Sequence, residues 1–136
     1  MADLFELEVV TPDRLVVKDR AAEIQIPAKN GYLGILAGHS PLITELAVGE
    51  ITYRTATSSE RLAVAWGFAE VLSNKVTILA EASERASEID VARAQQAKQR
   101  AEEILRNHAP DTNYEEAQNA LKRAETRIEV AEKGGR

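Results

Sequence analysis

Apolar and polar positions change their period once along this chain, and that change divides it. From Phe5 to Val10 the run FELEVV alternates, so Phe5, Leu7 and Val9 share one face opposite Glu6 and Glu8. The same two-residue period returns in Glu23–Ile26, Glu50–Arg54, Arg61–Trp66 and Lys75–Leu79. Asn30-Gly31 and Ser73-Asn74 stand between apolar runs, where a tight hairpin needs residues that tolerate positive φ. About eight to ten short strands are expected before residue 87, arranged as an antiparallel β-sandwich or flattened barrel. Within AWGFAEV, Trp66, Gly67 and Phe68 read as a bulge and core.

Beyond residue 86 the period becomes helical. Ala94, Ala97, Ala101 and Ile104 recur at spacings of 3, 4 and 3, and Tyr114, Ala117, Leu121, Ala124, Ile128 and Ala131 continue the pattern after a break at His108-Ala109-Pro110-Asp111. Ser87 with Asp90, and Thr112 with Glu115, are placed to open the two helices as capping boxes, the first running to about Arg106. The expected second part, 87–136, is therefore an antiparallel α-helical hairpin following a β-sandwich over 1–86. Its seam is mostly alanine, so the helices can approach closely while each contact removes little apolar area, and such a hairpin is expected to be easily rearranged.

Composition agrees with the division. Residues 1–86 hold 8 Lys+Arg, 12 Asp+Glu and five of the seven glycines, whereas 87–136 hold 9 basic and 10 acidic residues and nine alanines. The net charge of -5 argues against a nucleic-acid binder. The absence of cysteine excludes thiol nucleophiles, disulfides and thiolate zinc sites, and suits a reducing compartment. No apolar run approaches the roughly 20 residues of a spanning helix, and MADLFELEVV does not resemble a signal peptide, so a soluble chain is expected.

Two groups of residues could carry function. In Gly38-His39-Ser40-Pro41, His39 and Ser40 are neighbours whose side chains tend to point apart, and nothing elsewhere completes a nucleophile triad. No catalytic role is expected. Asp90 and Arg93 are three apart on one helix, Arg123 and Arg127 four apart on the other, so each pair shares a face. By pattern alone these read as the ion pairs of a solvated helix surface. An adaptor that joins two proteins through a sandwich and a coiled-coil hairpin fits the periodicities as well.

GYLGILAGHSPLITEL, AWGFAEVLSNKVTILAEAS and IDVARAQQAKQRAEEIL, in that order, resemble the bacterial epsilon subunit of F-type ATP synthase over nearly the whole chain. One departure is Ala37, where many relatives carry proline before the Gly-His pair. The resemblance implies a non-catalytic central-stalk subunit, peripheral on the cytoplasmic face of the plasma membrane and attached to it only indirectly. It would bind the gamma subunit through a sandwich face and the c-ring through a turn at Gly31-Tyr32-Leu33-Gly34, by Gly31, Tyr32 and Gly34, and through the adjacent loop of Gly38, His39, Ser40, Pro41 and Leu42. Its hairpin would meet the alpha and beta subunits when extended and inhibit ATP hydrolysis. The resemblance also implies an ATP site on the folded hairpin, from Ile89, Asp90, Arg93 and Ala94 of an I/L-D-x-x-R-A motif, with Arg123, Arg127 and Glu84. Arginine suits a triphosphate because its charge is permanent and its donors are forked. No GxxxxGK[ST] loop is present, so binding without hydrolysis is expected, with ATP a regulatory ligand and no cofactor required.

Overall fold

The computed structural model of the chain describes residues 3–134. Seven strands, not eight to ten, make the first part: β1 (Phe5–Val10), β2 (Leu15–Ala21), β3 (Glu23–Ala28), β4 (Gly31–Leu36), β5 (Leu42–Arg54), β6 (Ser59–Val71) and β7 (Lys75–Arg85). The count is lower because β5, β6 and β7 are 13, 13 and 11 residues long and absorb runs that read as separate short strands. All seven form one ladder in the order β2-β1-β7-β6-β5-β3-β4, folded over on itself as a β-sandwich. The pairing is not wholly antiparallel: β1 lies parallel to β7, with Leu7 beside Val76 and Val9 beside Ile78. That pairing joins strands distant in sequence, which local alternation does not encode.

The sandwich core contains the expected faces. Phe5, Leu7 and Val9 are buried with Ile24, Ile26, Ile51, Leu62, Val64 and Ile78. On β6 both faces are covered, since Leu62 and Val64 enter this core while Ala63 packs with Ala86, Ile89, Val130 and Ala131 in a second cluster under the helices. Small residues on the outer face of β6 let a helix lie close against the sheet.

After β7 a single 3-10 turn, Ala86–Glu88, leads to α1 (Val91–Asn107), and a loop then leads to α2 (Tyr114–Gly134). The helix starts differ from the expected capping boxes. Asp90, not Ser87, caps α1, its Oδ1 accepting from the Arg93 N–H at 3.0 Å. Ser87 is exposed, and Glu88 is taken by the Arg85 N–H at 3.0 Å and by the two terminal nitrogens of Arg14 at 2.8 and 2.9 Å. Likewise Asn113, not Thr112, caps α2 by accepting from the Glu116 N–H at 3.0 Å. The first helix closes at His108, whose φ of 50° is the left-handed C-terminal geometry.

The seam also differs in detail. Ala94, Ala101, Ala117, Ala124 and Ala131 are buried, but Ile104 is 45 % exposed, and Val130, outside the expected seam, is completely buried against the sandwich cluster. Val130 turns away from α1 because the hairpin has a second neighbour in the sheet.

The Arg14–Glu88 fork ties the β1–β2 loop to the 3-10 turn. Hydrogen bonding from Arg14 is the main cause holding the Glu88 carboxyl below its usual value of 4.5, opposed by desolvation and aided by the Arg85 N–H. A lowered carboxylate pKa stabilises the fold above the unfolded value, and the gain is lost as pH falls through the folded one. Both groups are largely exposed, so the effect is small. In an NMR titration Glu88 is expected to titrate below an ordinary glutamate and to return upward in Arg14→Ala. An unshifted Glu88 would show that the fork is not held in solution.

Candidate nucleotide cleft and sandwich surfaces

Three elements meet where β7 ends. Glu84 comes from β7, Asp90, Arg93 and Ala94 from the start of α1, and Arg127 from the middle of α2; all five line one cleft of about 310 Å³. The Arg127 Nε lies 2.8 Å from Glu84 Oε1, so this ion pair clamps the second helix to the sheet. Because Asp90 is the N-cap, one of its carboxylate oxygens is committed to the Arg93 backbone.

Arg123 and Ile89 do not line this cleft, although Arg123 shares a small neighbouring space with Glu84 and Arg127. Arg123 lines an adjoining groove of about 600 Å³ between the helices, with Ala101, Ile104, Ala117 and Ala120, and is held by Glu116 at 2.9 Å. Ile89 is buried in the cluster with Ala63 and Val130, where it supports the turn before Asp90 rather than lining the cleft. Arg100, which sequence reading missed, lines both spaces. The signal was available: Arg93 and Arg100 are seven apart, two helical turns, and so share a face. Among the described residues Arg93 and Arg100 have no ion-pair partner, whereas Arg123 and Arg127 have Glu116 and Glu84. The arrangement therefore offers forked, permanently charged donors beside an alanine-lined groove. This suits an elongated ligand with an anionic end and a flat apolar end.

The second candidate group also departs from expectation. Gly31-Tyr32-Leu33-Gly34 is not a turn but most of β4, the edge strand, because the hairpin turns one residue earlier, at Lys29-Asn30. Tyr32 is 62 % exposed, and its hydroxyl accepts from the Glu50 N–H at 3.0 Å. The loop after β4 is shaped by Gly38, whose φ is 85° and whose N–H donates to the Ser73 carbonyl at 2.7 Å. That bond ties the loop to the β6–β7 turn. His39 Nδ1 lies 2.7 Å from the Ser40 carbonyl oxygen, a local backbone contact and not a base reaching a hydroxyl. Among the described residues no group of His, Cys, Asp and Glu is disposed to hold a metal ion.

Trp66-Gly67-Phe68 is neither a bulge nor core. Leu46–Gly67 and Val48–Ala65 keep one register against β5, so no residue is inserted, yet Trp66 has φ 52° and Gly67 φ 122°. The strand kinks instead. Phe68 points outward at 52 % exposure, and the half-buried Trp66 ring lies beneath Arg123. A row crosses four strands on the outer sheet face: Phe68 is opposite Leu79, Leu79 beside Val10, and Val10 opposite Leu15. Phe68, Leu79 and Leu15 are each at least half exposed. The row is a contiguous apolar strip on an exposed sheet face.

No described helix is long and apolar enough to cross a membrane. Residues 4–86 match the beta-sandwich domain of the ATP synthase Delta/Epsilon chain family, and residues 87–132 match that family's long alpha-helix domain. The chain is 67 % identical over 111 residues to the ATP synthase epsilon chain of Koribacter versatilis, covering 82 % of this chain and 78 % of that one. It is 45 % identical to epsilon chain 2 of Syntrophotalea carbinolica, covering 100 % and 99 %. Among solved structures, a chain of the Euglena gracilis mitochondrial ATP synthase, OSCP/F1/c-ring, superposes with a TM-score of 0.78 at 24 % identity, over 90 % of this chain and 78 % of that one; this likeness speaks for the fold. With both parts matched and near relatives aligned over most of their length, the chain belongs to the epsilon chains of ATP synthase, a non-catalytic subunit.

Proposed function

We propose that the chain rides on the central stalk of an F-type ATP synthase and that its hairpin is a nucleotide-sensing brake on hydrolysis. The sandwich couples c-ring rotation to the catalytic head. Its apolar row at Phe68, Leu79, Val10 and Leu15 faces the gamma subunit. The c-ring is met by the edge strand, through Gly31, Tyr32 and Gly34, and by the loop Gly38-His39-Ser40-Pro41-Leu42. Exposed Leu36 and Leu72 beside that loop add apolar area suited to such a contact. The whole sits on the cytoplasmic face of the plasma membrane, attached through its partners.

The observation that carries the regulatory reading is that one cleft draws Glu84, Asp90, Arg93, Arg100 and Arg127 from the sheet and both helices. A triphosphate held there bridges all three elements, and extending the hairpin dismantles the site. ATP therefore binds the folded form alone, with Arg93, Arg100, Arg123 and Arg127 receiving phosphate charge and the inter-helix groove receiving the base. At ten times its Kd such a ligand adds about 1.4 kcal/mol to the folded form, roughly a tenfold shift in population. Low ATP releases the hairpin toward the alpha and beta subunits, where it blocks hydrolysis.

Deleting everything after Ala86 tests the brake. In the assembled complex the deletion is expected to raise ATP hydrolysis severalfold while leaving rotation-coupled synthesis in place. Unchanged hydrolysis would overturn the inhibitory role and leave only the stalk role.

A further inference from the structure

We propose that Trp66 is a positioning residue that holds Arg123, and through it the helical hairpin, on the sandwich. Trp66 is the only tryptophan in the chain, and its φ of 52° is a conformation that bulky residues avoid because the side chain crowds the backbone. The neighbouring kink position is glycine, the residue that adopts positive φ freely. Local backbone preference alone would place glycine at 66 also, so the strain at Trp66 has to be offset by what the indole contacts.

What it contacts is the hairpin. The Arg123 guanidinium carbon lies 5.2 Å from the centroid of the Trp66 ring, within the range of a cation–π contact. Glu116 Oε1, two turns earlier on the same helix, holds the guanidinium at 2.9 Å, and the Arg123 side chain is only 26 % exposed. Arg123 is thus fixed between an aromatic face of the sheet and a carboxylate of its own helix. Beneath this stretch of α2 the sheet offers Val48, Ala63, Ala65, Ala82 and Ser83, all small. The apolar anchor of α2, Val130 and Ala131 against Ala63, Ala86 and Ile89, begins seven residues further on, about 10 Å along the helix. Between that anchor and Arg123, the Arg127–Glu84 ion pair holds α2 to β7. The Trp66–Arg123 contact extends this line of attachment one turn further toward the start of the helix, and so limits its tilt on the sheet. This reading goes beyond nucleotide binding and stands without it.

The chain has no cysteine and Val130 is fully buried, so Val130→Cys provides a single thiol whose labelling rate reports undocking. In that background Trp66→Gly is expected to raise the rate about 5- to 20-fold, in line with a partly desolvated cation–π contact. The urea midpoint of the sandwich should stay the same or rise, because glycine accepts the backbone of position 66. Trp66→Tyr should restore most of the slow labelling. Arg123→Ala should match Trp66→Gly, and the double variant should label no faster than the faster single, as expected of one shared contact. Arg123→Ala should also change the emission of the lone tryptophan.

Unchanged labelling in Trp66→Gly would overturn the proposal, as would single effects that multiply in the double variant or emission insensitive to Arg123. Faster labelling accompanied by a fall in the sandwich midpoint would overturn it as well, by making Trp66 a packing residue of the sheet.

Discussion

Gly67→Ala is expected to cost the sandwich more than about 3 kcal/mol, the largest effect of any single substitution considered, because two independent penalties coincide. The φ of 122° at Gly67 lies in a region that L side chains rarely adopt. A β-carbon there would also collide with the Leu79 carbonyl oxygen and stand 2.8 Å from the Ala80 Cα, both backbone atoms of the adjacent strand. Neither can be relieved by a rotamer change. The only adjustment is to straighten the kink of β6 or push β7 away, which disturbs the ladder on which Ile78 and Ala80 enter the core. For a small domain with a urea m-value of about 1–2 kcal/mol/M, the midpoint should fall by roughly 2 M. Trp66 is the adjacent residue and so provides the fluorescence readout. A fall of less than 0.5 M would mean that the kink is soft, not imposed by the fold.

Arg127→Ala should weaken ATP binding by about 10- to 100-fold, the worth of one charge-assisted hydrogen bond to a phosphate at 1.4 kcal/mol per decade. Arg127 is the one cleft arginine that also joins α2 to the sheet, through Glu84 at 2.8 Å. Its removal takes away a donor and leaves the Glu84 carboxylate facing the space a phosphate would enter. Arg93→Ala, by contrast, removes a guanidinium with no described ion-pair partner, so its loss should lower affinity without loosening the hairpin. Arg127→Lys should recover part of the affinity, since a point charge replaces the charge but not the fork. Calorimetry with ATP, with AMP as the control and Lys122→Ala as an exposed cation outside the cleft, separates these cases. Equal ATP affinity in the native chain and Arg127→Ala would remove the cleft from nucleotide binding. Saturable binding lost alike in Lys122→Ala would assign it to general charge.

The two variants probe different kinds of information. Arg93 and Arg127 were visible in the sequence because helical spacing and the IDVARA motif place them, and the fold then gathers them with Glu84. Arg100 was equally accessible by its spacing from Arg93, but it lies beyond the motif, which ends at Ala94. Ile89 carries the motif yet faces Ala63 and Val130, a distinction that depends on which side of the turn the sheet lies. Arg123 matches the motif but shares its guanidinium between Glu116 and Trp66. No spacing rule links Trp66 to Arg123, 57 positions apart in the chain.

The sequence by itself determined the division near residue 86, the strand faces of Phe5, Leu7 and Val9, the two helices and the break at His108, because all of these follow from local period and turn chemistry. It also carried the family. Only the tertiary structure decided that β1 runs parallel to β7, that Gly31–Gly34 is edge strand and not turn, and that Asp90 and Asn113 take the caps. It likewise decided that Val130 leaves the helical seam for the sheet and that Phe68 faces outward from a kink. The reason is common to them. Each depends on a competition between a local preference and a distant partner, and the outcome is set by which polar group or apolar face the folded chain brings within reach.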